Sequence, residues 1–292
     1  MKGLFRPQEY FRPSSIGEAI NLLSKYGEKA AIVAGGTNLF VTKPSNIEVL
    51  VDITRLPLDY MKSNAEGFRI GSLTTFSSLE RSELLKKLGL SVLAEAAIEM
   101  GSVPLRNMAT VGGNICKALP ITELCPTLMV LGASLRVAGP SGERMVMLDE
   151  FFTGRKKTVL ESDELLIDVV VPPLPPRSGA AFVKLGRVAE DISIVNAAAF
   201  VTLENDGTCR ETKIAVGGGM GPVVKRARRA EALLKGQKPE SDLIHQTAQR
   251  ASEEFSPRPT SIRGSAEYKL EVCRVLVERA LNEAINRASK EE

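Results

Sequence analysis

The chain has little with which to build metal chemistry of its own. Its 292 residues include four cysteines, Cys116, Cys125, Cys209 and Cys273, and a single histidine, His245. The cysteines are widely spaced and form no C-x-x-C pair. A disulfide framework is therefore not expected, nor is a zinc or iron–sulfur site made by this chain alone, and a reducing cytoplasm fits best. There is no apolar run near the roughly 20 residues that span a bilayer. Met1-Lys2-Gly3-Leu4-Phe5-Arg6-Pro7 lacks the apolar core of an export signal. A net charge of +3 is small for this length and does not favour nucleic acid. The basic stretch Lys225-Arg226-Ala227-Arg228-Arg229 has no interleaved aromatics to stack bases, so it reads as a solvated face or a partner contact. No G-x-G-x-x-G follows a strand, which excludes a Rossmann dinucleotide fold.

What is present is an ordinary globular composition, 43% hydrophobic and 25% charged. The length exceeds the usual single domain, so two or three lobes are expected. Ser14 or Ser15 can cap a helix over residues 16–23, with Glu18 completing a capping box and Ile16, Ala19, Ile20 and Leu23 on one face. Strands are predicted over residues 30–33, 49–53 and 68–73. Thr75 or Ser77 starts a helix, and a helix over 90–100 ends at Gly101. Residues 121–131 read as an apolar helix, and 135–138 with 144–147 as a hairpin around Gly139-Pro140-Ser141-Gly142. A strand over 165–171 runs into Pro172-Pro173-Leu174-Pro175-Pro176, which cannot continue a sheet and marks a domain boundary. Beyond it come strands over 179–185, 195–203 and 212–216, with a turn at Gly207. A flexible glycine break follows at 217–222, then helices over 224–234, 242–255 and 265–288. The chain ends in a short polar tail, Ser289-Lys290-Glu291-Glu292.

Two glycine pairs stand out, Ala34-Gly35-Gly36-Thr37-Asn38 and Thr110-Val111-Gly112-Gly113-Asn114. Each follows apolar residues and ends in a side chain that can cap a turn. Glycine permits positive φ and close approach, and successive N–H groups can then form a nest for an anion. Two such nests can grip the two phosphates of a dinucleotide. Either stretch alone reads equally as a tight turn.

With their flanks, Ile32-Val33-Ala34-Gly35-Gly36-Thr37-Asn38-Leu39 and Thr110-Val111-Gly112-Gly113-Asn114-Ile115 resemble the two flavin-diphosphate loops of the FAD subunit of molybdenum hydroxylases. These are the xanthine dehydrogenase and aerobic carbon monoxide dehydrogenase relatives. Phe11-Arg12-Pro13, residues 101–107 before the second loop, and Arg263-Gly264-Ser265-Ala266-Glu267-Tyr268-Lys269 resemble the same family in the same order. The resemblance covers almost the whole chain. It implies an α+β fold: a two-lobed vanillyl-alcohol-oxidase-type FAD-binding domain over 1–175, with lobes of about 1–56 and 57–175. A C-terminal domain of three-stranded antiparallel sheet plus helices would then span 176–292.

The resemblance also implies residue roles. Ile32 to Leu39 and Thr110 to Asn114 would hold the FAD diphosphate, with an amide at Asn38 where relatives often carry an acid. Pro120-Ile121-Thr122-Glu123-Leu124 resembles the family's Pro-x-Ser-Asp-Leu, so Glu123 would bind the ribityl hydroxyls, helped by Thr122. Leu166 would pack on the isoalloxazine and Lys184 would approach its polar edge. Residues 187–193 resemble the mobile loop at the flavin's exposed face, with Asp191 and Ile192 at the cofactor. Read without the resemblance, Glu123 and Thr122 are a helix-cap pair, Leu166 is core, Lys184 is an exposed strand lysine, and 187–193 is a surface loop. Cys116 and Cys125 read as buried small apolar residues, and His245 as a packed or surface residue.

The function implied is electron transfer. A large molybdenum-cofactor subunit oxidises substrate, a small subunit carries [2Fe–2S] clusters, and FAD on this chain passes electrons to an acceptor such as NAD or quinone. The assembly expected is a heterotrimer or a dimer of heterotrimers. Two other readings stay open. One is a stand-alone flavin reductase of the same fold, UDP-N-acetylenolpyruvoylglucosamine reductase-like. The other is a non-enzymatic partner-binding subunit that has lost FAD.

Overall fold

A computed structural model describes residues 5–259 and 261–290. The first four residues of the stretch read for an export signal, and the last two of the polar tail, lie outside them. The chain opens with strand β1 (Glu9–Phe11) and helix α1 (Ile16–Tyr26). Ser15 caps α1 by accepting the Glu18 N–H at 3.1 Å, and Glu18 reaches back to accept the Ser14 N–H at 2.8 Å. Ala19, Ile20 and Leu23 are the buried face, as the spacing predicts. Strand β2 (Ala30–Val33), helix α2 (Leu39–Thr42) and strand β3 (Val49–Asp52) follow. The three strands form a parallel sheet in the order β1-β3-β2. A three-residue strand with no periodicity left no trace of β1 in the sequence; its pairing with β3 defines it.

Strands β4 (Met61–Asn64) and β5 (Gly67–Gly71) begin a second sheet. A run of short helices then crosses one face: α3 (Phe76–Glu80), α4 (Glu83–Lys87), α5 (Ser91–Ile98), α6 (Val103–Met108), α7 (Val111–Cys116) and α8 (Leu124–Val130). Thr75 is the cap of α3. Strands β6 (Ser134–Gly139) and β7 (Gly142–Met147) make the expected hairpin, and Gly142 takes φ +109. Helix α9 (Leu148–Phe151), a small hairpin β8 (Phe152–Gly154) and β9 (Lys157–Thr158), and strand β10 (Leu165–Val171) complete this part. The sheet order is β4-β5-β10-β6-β7. Phe76, Leu93, Leu128, Phe151 and Val169 are fully buried in the core that includes these helices and the sheet. Asp168 on β10 is fully buried yet paired, taking Arg69 and Arg136 at 2.8 Å each from neighbouring strands.

The remaining strands are β11 (Ser178–Leu185), β12 (Val195–Leu203), β13 (Cys209–Gly218) and β14 (Lys225–Arg226), in that order in one antiparallel sheet. Helices α10 (Arg228–Leu234), α11 (Ser241–Ser252) and α12 (Ala266–Lys290) cover it. Two expectations are corrected here. The sheet has a short fourth strand, because Lys225 and Arg226 pair with Val216 and Ala215 rather than starting the predicted helix. The predicted glycine break begins inside β13, where Gly217 and Gly218 permit close packing. A Cβ on Gly218 would lie 2.7 Å from the Val195 Cα.

Candidate functional site

A cavity of about 500 Å³ opens where the end of β2, the start of α7, the start of β10 and the loop before β12 converge. The wall contains both glycine stretches, and the two are built differently.

After β2 the chain turns at residues 34–38 and enters α2. Gly36 has φ +69, and an added Cβ there would strike the Phe40 ring at 2.7 Å. The N–H groups of Gly35, Gly36, Thr37, Asn38 and Leu39 have no protein acceptor among the described residues. Five successive unpartnered amides on a cavity wall are donors awaiting an acceptor.

At 110–114 the chain is not the open turn expected. Thr110 is the extended N-cap of α7, and its Oγ1 accepts the Gly113 N–H at 3.2 Å. Val111 donates to the Thr74 carbonyl, Gly112 to the Ser72 carbonyl, and Asn114 to the Thr110 carbonyl, at 2.9, 2.9 and 3.0 Å. The sequence gives no sign that Ser72 and Thr74 would take those amides. Neither Gly112 nor Gly113 has positive φ. Gly112 is needed because a Cβ would lie 2.7 Å from the Ser72 Cβ. What this stretch offers the cavity is side-chain chemistry. The Thr110 hydroxyl keeps its own proton to donate, and Asn114 keeps its amide hydrogens because its Oδ1 is taken by the Thr122 hydroxyl. The first stretch packs against the end of α6: a Cβ on Gly35 would sit 1.7 Å from the Met108 carbonyl oxygen.

Of the other residues singled out, Ile32, Ala34, Thr122, Glu123, Leu166, Asp191 and Ile192 line the cavity, while Val33, Val111 and Lys184 do not. Val33 and Val111 are buried behind it. A register shift between Leu166 and Asp168 interrupts the β10 ladder just after the two residues, Leu165 and Leu166, that line the cavity. Lys184 is not an exposed lysine: its side chain is 2% accessible, and Nζ lies 3.5 Å from Glu123 Oε1. Burial pushes the Glu123 carboxyl above the usual range, opposed by the Lys184 charge and a hydrogen bond from Ser193. Asp191 is held by Arg187 at 2.6 Å, and this bond draws its pKa down. Cys125 is buried as expected, but Cys116 is exposed and on the cavity wall. His245 pairs with Glu278 at 3.2 Å on α11, away from the cavity.

The sequence missed Ser72. It is 4% exposed, lines the cavity, and its Oγ has no hydrogen-bond partner. A buried hydroxyl without a partner is costly and fits a polar ligand. Its only sequence signal is a small polar residue at the end of an apolar strand. Unpartnered amides, a lone hydroxyl and an apolar floor suit an anionic dinucleotide with a flat ring system. The donor set therefore fits FAD.

Comparison with known proteins agrees. Residues 5–174 match the family described as FAD binding domain in molybdopterin dehydrogenase, and residues 180–284 match the CO dehydrogenase flavoprotein C-terminal domain. The chain is 34% identical to the 6-hydroxypseudooxynicotine dehydrogenase complex subunit alpha of Paenarthrobacter nicotinovorans, covering 96% of this chain and 95% of that protein. It is 30% identical to the xanthine dehydrogenase FAD-binding subunit of Escherichia coli O157:H7, covering 97% of each. Among solved structures it superposes on carbon monoxide dehydrogenase from Hydrogenophaga pseudoflava, in a form lacking the Mo-pyranopterin moiety. The TM-score is 0.91 at 31% identity, over 97% of this chain and 98% of that one. The chain belongs to the family of FAD-binding subunits of molybdopterin dehydrogenases.

Proposed function

We propose that this chain binds FAD in the cavity and serves as the electron-transfer flavoprotein of a molybdenum hydroxylase complex. The observation that carries the proposal is the row of five amides from Gly35 to Leu39, on residues that line the cavity, with no acceptor among the described residues. These amides would take the diphosphate oxygens. The Thr110 hydroxyl, the Asn114 amide and the exposed Gly113 would bound the diphosphate from the other side. Thr122 orients Asn114, Glu123 would accept from the ribityl hydroxyls, and Ser72 would donate its free proton. Ile32, Leu39, Leu166 and Ile192 supply apolar wall, and Asp191 stands in the wall as an ion pair with Arg187. Val33 and Val111 act by packing behind the two stretches. Bound FAD would supply a junction between one-electron and two-electron transfer.

The remaining carriers fall to partner chains. Among the described residues no group of three or more His, Cys, Asp or Glu comes together to hold a metal. We assign the molybdenum cofactor to a large subunit and [2Fe–2S] clusters to a small one, in a heterotrimer or a dimer of heterotrimers, with NAD or a quinone as acceptor. The full-length similarity to medium subunits favours this over a stand-alone reductase. We divide the chain into an FAD-binding domain over 1–175 and a C-terminal domain over 176–292. The first would have lobes of about 1–56 and 57–175, in the two-lobed vanillyl-alcohol-oxidase-type arrangement. Separate parallel and antiparallel sheets support that division. Four free thiols support a cytoplasmic setting.

The test is expression with the neighbouring subunits, purification, a visible spectrum and metal analysis. The expected result is FAD stoichiometric with this chain and molybdenum and iron in the partners. A colourless chain in an otherwise intact complex overturns the reading.

A further inference from the structure

Residues 120–123 precede α8 in the N-terminal region, yet the C-terminal sheet holds them. Gly218 donates its N–H to the Pro120 carbonyl. Asn196 Nδ2 donates to the Thr122 carbonyl at 3.0 Å and to Ser193 Oγ at 3.1 Å. The Ser193 hydroxyl donates to Glu123 Oε1 at 3.1 Å, and Lys184 Nζ stands 3.5 Å from the same oxygen. Lys184 and Asn196 are cross-strand partners on β11 and β12, so their side chains share a face. Gly217 leaves the room, since a Cβ there would lie 2.5 Å from Asn196 Oδ1 and 2.7 Å from the Pro120 oxygen.

Taking a carboxylate and an ammonium out of water costs more than their attraction usually returns, so packing alone is a poor reason for this cluster. Its action is also one-sided. Oε1 of Glu123 is held twice, while Oε2 has no hydrogen-bond or ion-pair partner among the described residues and Glu123 is on the cavity wall. We infer that Lys184, Ser193 and Asn196 are positioning residues: they hold Glu123 Oε1 so that Oε2 is presented to the cofactor, which makes cofactor binding depend on the C-terminal sheet. The inference rests on the reading of the cavity as an FAD site and revises the role of Lys184, which acts through Glu123 rather than on the flavin edge.

The groups facing Glu123 are Lys184 from β11, Ser193 from the loop before β12, and the buried Cys125 thiol on α8. The Glu99 carboxylate stands 3.9 Å from Lys184 Nζ on the far side, and the Glu99 carbonyl accepts from it. Burial already favours the protonated carboxyl, and Lys184 opposes it. Without the ammonium, Glu123 protonates at higher pH.

The test is titration of the full-length chain, stripped of flavin, with FAD across a pH series, read by flavin fluorescence. Lys184→Met is expected to weaken binding about tenfold near neutrality and to move the acid loss of affinity to higher pH, with Lys184→Arg restoring both. On a Glu123→Gln background, Lys184→Met is expected to change the dissociation constant less than about twofold. Equal losses on both backgrounds with an unmoved pH profile overturn the inference. Should Lys184→Met not fold, Ser193→Ala gives the same cycle, with about a threefold loss expected only when Glu123 is present. A wild-type chain that binds no FAD would sink the cavity assignment itself, a result separate from additivity in the cycle.

Discussion

At residues 34–38 the chain leaves a parallel strand and its amides from Gly35 on find no acceptor among the described residues, whereas at 110–114 it enters a helix and pairs every amide from Val111 to Asn114. Both stretches carry Gly-Gly followed by a polar side chain, and their glycines answer to different demands. Gly36 is required by a left-handed backbone, Gly35 by the Met108 carbonyl and Gly112 by Ser72, while Gly113 is exposed, with Thr110 Oγ1 at 3.0 Å as its nearest neighbour. The first stretch is a backbone donor array. The second is fixed through its own amides to Ser72 and Thr74 and offers the cavity side-chain donors. A shared motif thus reports a shared location on one cavity wall, not a shared conformation.

The comparison breaks most completely at Gly35. Its Cβ would overlap the Met108 carbonyl at 1.7 Å, and both partners are backbone. Gly35→Ala is expected to cost about 3 kcal/mol and to remove flavin with it, checked by urea unfolding of the stripped chain and by flavin content. A cost below about 1 kcal/mol would mean the first stretch does not depend on its close packing against the end of α6.

The next test separates the two glycines of the second stretch. Gly112→Ala drives a Cβ against Ser72 and is expected to lose about 1–3 kcal/mol of stability. Gly113→Ala sits in the first turn of a helix and its Cβ would press only on the Thr110 hydroxyl, at 3.0 Å, so its stability should stay within about 1 kcal/mol of the parent. Flavin retention is the second readout. We expect Gly113→Ala to fold normally and hold FAD poorly, because Cβ would occupy the side the ligand approaches. Full flavin retention in Gly113→Ala would leave residues 110–114 with a packing role alone.

The legible parts of this molecule are those whose signals are local. The α1 cap, the hairpin at β6 and β7, the long strands β10 and β12 and the terminal helix α12 each carry their own pattern of apolar spacing, caps and turns. Helices α6 and α7 do not. They have six residues each, too few for a periodicity, and the amides of α7 find acceptors on Ser72 and Thr74, some 40 residues earlier in the chain. Separation along the chain likewise hides Ser72 as a cavity residue and Lys184 as a partner of Glu123. The motif flanks still located the cavity wall, because a ligand that spans two stretches constrains residue types on both. They did not say which stretch grips with backbone and which with side chains.

The smallest expected effect sharpens the comparison through pH. The strand beside the first stretch ends at Asp52, which takes the Thr54 N–H at 2.9 Å, the Thr54 hydroxyl at 2.6 Å and the Tyr10 hydroxyl, with Arg12 at 3.5 Å. Burial raises its pKa, but the bonds from Thr54 and Tyr10 and the Arg12 charge outweigh it and leave the carboxyl below its ordinary value. A folded-state pKa below the unfolded one contributes stability above the ordinary aspartate range, and that contribution fades as pH falls through the lowered value. The amides at the start of α7 meet only uncharged acceptors: the Ser72, Thr74 and Thr110 carbonyls and the Thr110 hydroxyl. Asp52→Asn is therefore expected to cost less than about 1 kcal/mol at neutral pH, with the difference from the parent closing in acid. Thr110→Val, which removes a neutral cap, should cost about 1 kcal/mol at every pH where the chain folds. Urea midpoints across a pH series decide it. A Thr110→Val difference that fades in acid alongside that of Asp52→Asn would show that the α7 cap shares an electrostatic support with Asp52 rather than resting on neutral acceptors.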